Sequence, residues 1–215
     1  MRALQPGSLG AMTLAVSRKP ALTWGLAIVV FPLANALLSL AARDSLPLFL
    51  DSIFTAIAAA VLGPWHGIAT AALTNGWNEA LDGFPWVHLP FAVCGIATAL
   101  IVRAFVASGK YRGALPVSLC IGAVTLANAL LGALIAAFVY GGGTRMNIDN
   151  IVAGFALFTD SVATAAFLGR LPINLVDKTL AVAPALYLAV VKAEAERRAA
   201  DPAARRGADA AAPLR

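Results

Sequence analysis

Acidic, amide and aromatic side chains stand together at the ends of long apolar segments of this chain. The densest group consists of Trp77, Asn78, Glu79, Asp82, Trp86 and His88. Asp51 lies near the start of an earlier apolar segment, and Asn147 lies in a later polar stretch. Aromatic faces stack on flat molecules, whereas amides and carboxylates orient such molecules through hydrogen bonds. The pattern predicts that these residues form a binding cup for a small, flat, polar organic molecule.

Several of these residues also have a purely structural interpretation. Trp86 and His88 are of the kinds that settle in the aromatic belt where a membrane meets water. Asp51 would equally serve to cap its helix or to pair with Arg43 near the surface. The acidic side chains Glu79 and Asp82 favour a neutral or cationic bound molecule over an anionic one.

Signatures of catalysis and of metal binding are missing from the sequence. Its two histidines, His66 and His88, lack the spacing of metal ligands, and no serine lies in a nucleophile-elbow pattern. The glycine run 141–143 is typical of a flexible turn rather than of a phosphate-binding loop. Cys94 and Cys120 both lie inside apolar runs, as buried thiols do. We therefore expect neither an enzyme nor a bound metal or cofactor.

Composition indicates the class of protein that must position these residues. Hydrophobic residues make up 60% of the 215 residues and charged residues 13%, and the mean hydropathy is +0.81. These values predict an all-α integral membrane protein, because a bilayer core accepts helices whose backbone groups are satisfied internally. Since a span takes about 20 residues, six transmembrane helices are predicted near residues 22–42, 46–62, 65–81, 87–106, 115–140 and 172–191. Residues 150–170 form a further apolar segment, which we interpret as a re-entrant or partial helix, with a seventh crossing as the alternative.

Within the last predicted span, Asp177 and Lys178 are neighbours of opposite charge. Adjacent residues point to different faces of a helix. We therefore expect each of them to meet a partner on another helix.

Positive charge predicts the orientation and the domain boundaries. Lysine and arginine accumulate before residue 20, after residue 191 and within residues 103–112, and such clusters remain on the cytoplasmic side. Both termini are therefore expected in the cytoplasm. The chain divides into a cytoplasmic segment 1–20, a transmembrane helical domain 21–192 and a basic Ala/Arg-rich tail 193–215. Because these clusters carry the cations behind the formal charge of +5, nucleic acid is not an expected partner.

Two stretches of the chain resemble a known family of membrane proteins. Residues 51–56 (DSIFTA), followed by residues 63–67 (GPWHG) and the pair Thr74-Asn75, resemble the second and third helices of the substrate-binding S components of energy-coupling factor (ECF) transporters. Residues 171–178 (LPINLVDK) are similar to the entry into the final helix of that family. One difference lies in the first helix, where alanines recur at every seventh residue instead of every fourth.

The resemblance implies a six-helix protein of the bacterial or archaeal cell membrane with both termini in the cytoplasm. It implies binding of a vitamin or vitamin-precursor-like micronutrient on the outer side. Delivery would follow by toppling within a complex with a transmembrane coupling subunit and ABC-type ATPases. Two other interpretations stay open, a membrane sensory or regulatory module and a stand-alone small-solute carrier in which intramembrane acids such as Asp51 and Asp160 relay protons.

Overall fold

The computed structural model describes residues 13, 19–43, 45–144, 146 and 148–201. Within these ranges the protein is all-helical and has no strand. We number the helices α1 (Pro20–Ala42), α2 (Ile53–Leu62), α3 (Pro64–Leu81), α4 (Leu89–Ala107), α5 (Ala114–Phe138), α6 (Ile148–Ala156) and α7 (Val162–Ala200). The predicted site residue Asn147 lies outside the described residues.

Four of these helices, α1, α4, α5 and α7, are long and apolar enough to cross a membrane. The predicted membrane class is therefore supported, whereas the count of six crossings stays a prediction. Helix α2 has ten residues and a length of about 15 Å, which is half of a bilayer core of about 30 Å. Helix α3 has 18 residues, but its buried face is polar, with Thr70, Thr74 and Asn75 among its members.

The second predicted span starts later than expected, because residues 46–52 are not helical. Leu50 has a left-handed backbone (φ +49°), and its N–H donates to Asp177 Oδ1 at 2.7 Å. Asp177 lies about 22 Å from the start of α7 at 1.5 Å per residue. The non-helical segment therefore enters the bundle deeply and replaces the first half of the predicted helix.

Helices α2 and α3 meet at the predicted Gly-Pro break. Gly63 has φ +124°, a conformation that side chains rarely allow, and Pro64 begins α3 at a position where its missing N–H costs nothing. Gly67, one turn later, lets α3 approach its neighbours closely. A Cβ atom at Gly67 would lie 2.7 Å from the Cβ of Ala59 and 2.9 Å from that of Ala99.

A buried amide joins the first three helices. Asn35 Nδ2 donates to Thr55 Oγ1 (3.1 Å) and to Thr74 Oγ1 (3.2 Å), and Asn35 Oδ1 accepts from the N–H of Phe54 (3.0 Å). Both the amide nitrogen and the side-chain oxygen of Asn35 are therefore hydrogen-bonded within the protein, and we assign this residue a structural role.

The segment 150–170, predicted as a re-entrant or partial helix, is not one continuous helix, because the chain breaks at residues 157–161. Its first part belongs to α6, and its second part belongs to α7, whose N-terminus Ser161 caps by accepting from the N–H of Thr164 at 3.2 Å. Helix α6 folds back on α7, since a Cβ atom at Gly169 would lie 3.0 Å from Val152 Cγ2. Asp160 is exposed in the turn between the two helices.

Helix α7 is the longest element and packs along α5. Its 39 residues continue through Pro172 and Pro184, so the span predicted at 172–191 begins ten residues earlier than expected. The core between α2, α4, α5 and α7 is built mainly of alanine and valine, which allows the helices to approach closely. Helices α1, α3 and α5 end at the same end of the bundle at which α4 and α7 begin, and the polar residues collect there.

Candidate functional site

A cavity of about 470 Å³ opens at this end of the bundle. Its walls are contributed by α1, α3, α4, α5 and α7, by the start of α6 and by the loops that precede α2, α4 and α6. Cavities that hold small organic molecules have volumes of about 300–1,000 Å³. The polar residues of its wall are Ser39, Arg43, Asp51, Asn75, Asn78, Asp82, His88, Asn128, Thr144, Arg170, Asn174 and Lys178.

The structure brings together half of the predicted site residues. Asp51, Asn78, Asp82 and His88 line the cavity. Their convergence follows from the topology, because the ends of α1 and α3 and the start of α4 meet at one end of the bundle.

Three other predicted residues do not reach the cavity. Trp77 lies on the outer side of α3 with 38% of its surface exposed, and Trp86 is 66% exposed. Both fit the alternative interpretation of aromatic side chains at a membrane surface. Glu79 is buried, but its carboxylate points at backbone amides rather than into the cavity.

Glu79 holds the loop between α3 and α4, and this loop lines the cavity. Its carboxylate accepts hydrogen bonds from the N–H groups of Trp86 (2.8 Å), His88 and Leu89 (2.9 Å). Tyr140, after the end of α5, holds the same loop by donating to the carbonyl oxygens of Trp86 (3.2 Å) and Val87 (3.1 Å). Phe84 and Trp86 both have positive φ angles, a conformation that costs energy and persists because of these bonds.

A charged cluster lies on the same side of the cavity as this loop. Asp82 accepts from Arg43 and lies 2.5 Å from His88 Nε2. Partial burial alone would raise the pKa of the Asp82 carboxyl, but hydrogen bonds from Arg43 and His88 outweigh burial and hold this pKa below its ordinary value of 3.8. The predicted pair of Arg43 with Asp51 is not formed, since Arg43 meets Asp82 instead.

A second charged cluster joins α7 to the segment before α2. Lys178 Nζ lies 2.6 Å from Asp177 Oδ2, 2.8 Å from Ser52 Oγ and 3.7 Å from Asp51 Oδ1. The expectation that Asp177 and Lys178 would turn away from each other is wrong, because the long lysine side chain curls back to its neighbour. The expectation of partners elsewhere is met by Leu50, Asp51 and Ser52, which lie in a loop rather than on a helix.

Three of the four asparagines that line the cavity already use their amide nitrogens in hydrogen bonds within the protein. Asn75 donates to Ala71 O (3.1 Å) and Asn174 to Arg170 O (2.9 Å), both one turn back on their own helix. Asn128 donates to Thr98 Oγ1 (2.9 Å) and to Val124 O (3.0 Å). Their side-chain oxygens have no partner among the described residues and remain as acceptors for a bound molecule.

Arg170 is the residue that the sequence interpretation missed and that matters most here. It lines the cavity, is 2% exposed, and both terminal nitrogens, Nη1 and Nη2, are buried without a hydrogen-bond partner among the described residues. If a helix break is assumed at residues 170–172, Arg170 is interpreted as a charged residue of a loop between two apolar segments. With α7 continuous through this point, the same arginine becomes a charge inside a membrane-length helix, where ionisable residues are usually functional.

Within the described residues, no group of three or more histidine, cysteine, aspartate or glutamate side chains could hold a metal ion.

No protein-family model matches this chain, and comparisons with curated proteins and with solved structures found no similar protein. The resemblance to S components therefore stays a prediction that depends on the stretches quoted above.

Proposed function

We propose that this chain is the membrane-embedded binding subunit of an uptake system for a small polar molecule of vitamin-like size. The observation that carries this proposal is the polar cavity of about 470 Å³ at one end of an apolar helical bundle. A bilayer protein gains nothing structurally from leaving polar side chains around an open volume, because unsatisfied polar groups in such surroundings cost free energy. A bound molecule would satisfy them.

The cavity supports binding rather than chemical conversion. Its polar atoms are amide oxygens, the guanidinium of Arg170 and charged groups that pair with one another, such as Arg43 with Asp82 and Lys178 with Asp177. Groups of this kind orient a molecule through fixed hydrogen bonds, and no nucleophile lies beside a free general base among the described residues of the wall.

Transport would depend on partners, a transmembrane coupling subunit and ABC-type ATPases, as the resemblance implies. With both termini in the cytoplasm of a bacterial or archaeal cell, the cavity would open on the outer side. The alanines of the first helix do not define a surface that would meet the coupling subunit, because they do not share one outer face. Ala27 is fully buried, Ala34 is half-buried and Ala41 is exposed.

The test is affinity purification of the tagged chain from its native membranes in mild detergent, with mass spectrometry of the retained proteins and small molecules. Recovery of a membrane coupling subunit with ATP-binding proteins supports uptake. Recovery of a signalling protein instead would support the sensory interpretation. Substrate accumulation in liposomes that contain the purified chain alone would support the stand-alone carrier and contradict the proposed role.

A further inference from the structure

We infer that the molecule bound in this cavity carries an oxyanion, a carboxylate or a phosphate group, and that the guanidinium of Arg170 holds it. This inference rests on the proposed binding function and adds the chemical class of the ligand.

Of the three cationic side chains in the cavity wall, two have acidic partners. Arg43 pairs with Asp82, and Lys178 pairs closely with Asp177 and more loosely with Asp51. Arg170 forms no ion pair and no side-chain hydrogen bond among the described residues. Arginine keeps its charge at any pH that a cell meets, so Arg170 is a buried positive charge whose terminal nitrogens have no partner among the described residues.

One acidic side chain acts electrostatically on Arg170, but it forms its hydrogen bonds with another residue. Asp149, at the start of α6, acts on Arg170 electrostatically. Its two carboxylate oxygens, however, accept from the N–H and the hydroxyl of Thr144, each at 2.7 Å. Both oxygens are therefore engaged with the loop before α6, and neither forms a hydrogen bond with the terminal nitrogens of Arg170.

Close packing of the Arg170 side chain against α5 fixes the position of its guanidinium. Its stem passes over Gly132 of α5, where a Cβ atom would lie 3.2 Å from Arg170 Cδ and 3.3 Å from Nε. An unpaired buried charge is costly, whereas a charge with a hydrogen-bonded partner is tolerated. The planar fork of arginine matches the two oxygens of a carboxylate or phosphate, which an amide or an ammonium group cannot replace.

The groups next to Arg170 indicate which other atoms the ligand carries. Asn174 lies one turn from Arg170 on α7, and Asn128 lies one turn from Gly132 on α5, and both present free acceptor oxygens. A ligand that fits this wall has N–H or O–H donors close to its anionic group. The acids that favoured a neutral or cationic molecule do not oppose this, because Glu79 is held by backbone amides and Asp82 by Arg43 and His88.

The experiment compares wild type, Arg170→Gln, Arg170→Lys and Arg103→Gln, a control that removes an arginine outside the cavity. Each purified protein is tested by thermal unfolding with matched probes, namely benzoate, phenyl phosphate and the neutral benzamide, and by mass spectrometry of molecules retained from native membranes.

We expect an anionic probe, a retained carboxylate or phosphate, or both, to bind wild type and the Arg103→Gln variant. Arg170→Gln should weaken this binding by about 30-fold or more, since it removes a buried charged partner. Arg170→Lys should restore it in part, because the charge returns without the fork. Carboxylate and phosphate are separated by which probe or retained molecule responds.

Three results would overturn the inference. If wild type and Arg170→Gln bind the same neutral or cationic molecule equally, the cavity binds ligand and the proposed function stands, but the anionic class is wrong. If Arg170→Gln retains the anionic molecule at wild-type affinity, Arg170 does not hold it. If no probe stabilises any variant and no molecule is retained, the cavity is not a binding site, and the proposed function fails together with the inference.

Discussion

The guanidinium stem of Arg170 crosses helix α5 at Gly132, the position on that helix where the absence of a side chain leaves room for it. A Cβ atom there would approach Cδ and Nε to 3.2 and 3.3 Å. The two residues lie 38 positions apart, on helices that pack along each other. Their contact places a cation, within a membrane-length helix, at the wall of a cavity.

We predict that Gly132→Ala weakens ligand binding while the protein still folds. The new methyl group would force the stem aside by a few tenths of an ångström, and charged hydrogen bonds depend on distance and angle. The cost to the free energy of unfolding should be about 1 kcal/mol, at the lower end of overpacking effects. Thermal unfolding with and without the anionic probe measures both quantities.

The control for this variant lies in the same helix. A Cβ atom at Gly122 would meet nothing within 4 Å, and alanine is the better helix former. Gly122→Ala should therefore bind like wild type and unfold at the same or a slightly higher temperature. Equal binding by both variants would contradict the role assigned to the Gly132–Arg170 contact.

Arg170→Met should stabilise the ligand-free protein, by about 1–3 kcal/mol, because it removes a buried charged group that has no partner. The same substitution should abolish binding of the anionic molecule. Stability gained with function lost is the usual behaviour of a residue kept for binding. Unfolding of ligand-free protein in detergent measures the first effect. A marked loss of stability would mean that Arg170 has a structural partner.

Lys178→Met should destabilise the protein strongly, by about 3–5 kcal/mol, because it leaves the buried carboxylate of Asp177 without its cation. The double variant with Asp177→Asn should recover part of the loss, since it removes the uncompensated charge. A double-mutant cycle of unfolding free energies measures the coupling. Additive effects of the two substitutions would show that the 2.6 Å pair contributes nothing.

Glu79→Gln should loosen the loop between α3 and α4 and weaken binding. A glutamine places an NH₂ group against backbone N–H donors that now meet a carboxylate. Limited proteolysis within residues 82–88 should accelerate. Trp77→Ala is the matched comparison, two residues away and outside the cavity wall, and it should leave both proteolysis and affinity unchanged. Weaker binding by Trp77→Ala would require a site larger than this cavity.

Acidification should remove the contribution of Asp82. Its pKa is depressed in the folded protein, so its stabilising effect is fully present above the ordinary value of 3.8 and is lost as the pH falls through the lower, folded-state value. The difference in unfolding temperature between wild type and Asp82→Asn should therefore be larger at pH 5 than at pH values below about 4. A difference that changes around neutral pH would indicate another titrating group.

Much of the architecture could be predicted from the sequence, because in a bilayer hydropathy and helix length are closely linked. The membrane class, the break at Gly63 and the convergence of Asp51, Asn78, Asp82 and His88 all follow from where apolar segments end. Helix ends on one side of a bundle must lie near one another, whatever the details of packing.

Packing decided which of the clustered residues face the cavity. Trp77, Asn78 and Glu79 are consecutive, so successive side chains point about 100° apart around α3. One is partly exposed, one lines the cavity and one holds the loop, and only the neighbouring helices determine which does which.

Tertiary structure also decided the role of Arg170. A proline two residues later suggests a helix break, yet α7 continues through Pro172 because its length is packed against α5 and α6. Once the helix is continuous, Arg170 is carried into the cavity wall and faces Gly132 from another part of the chain. Hydropathy and local spacing describe a single segment, whereas a charge without a partner is a property of all the segments that surround it.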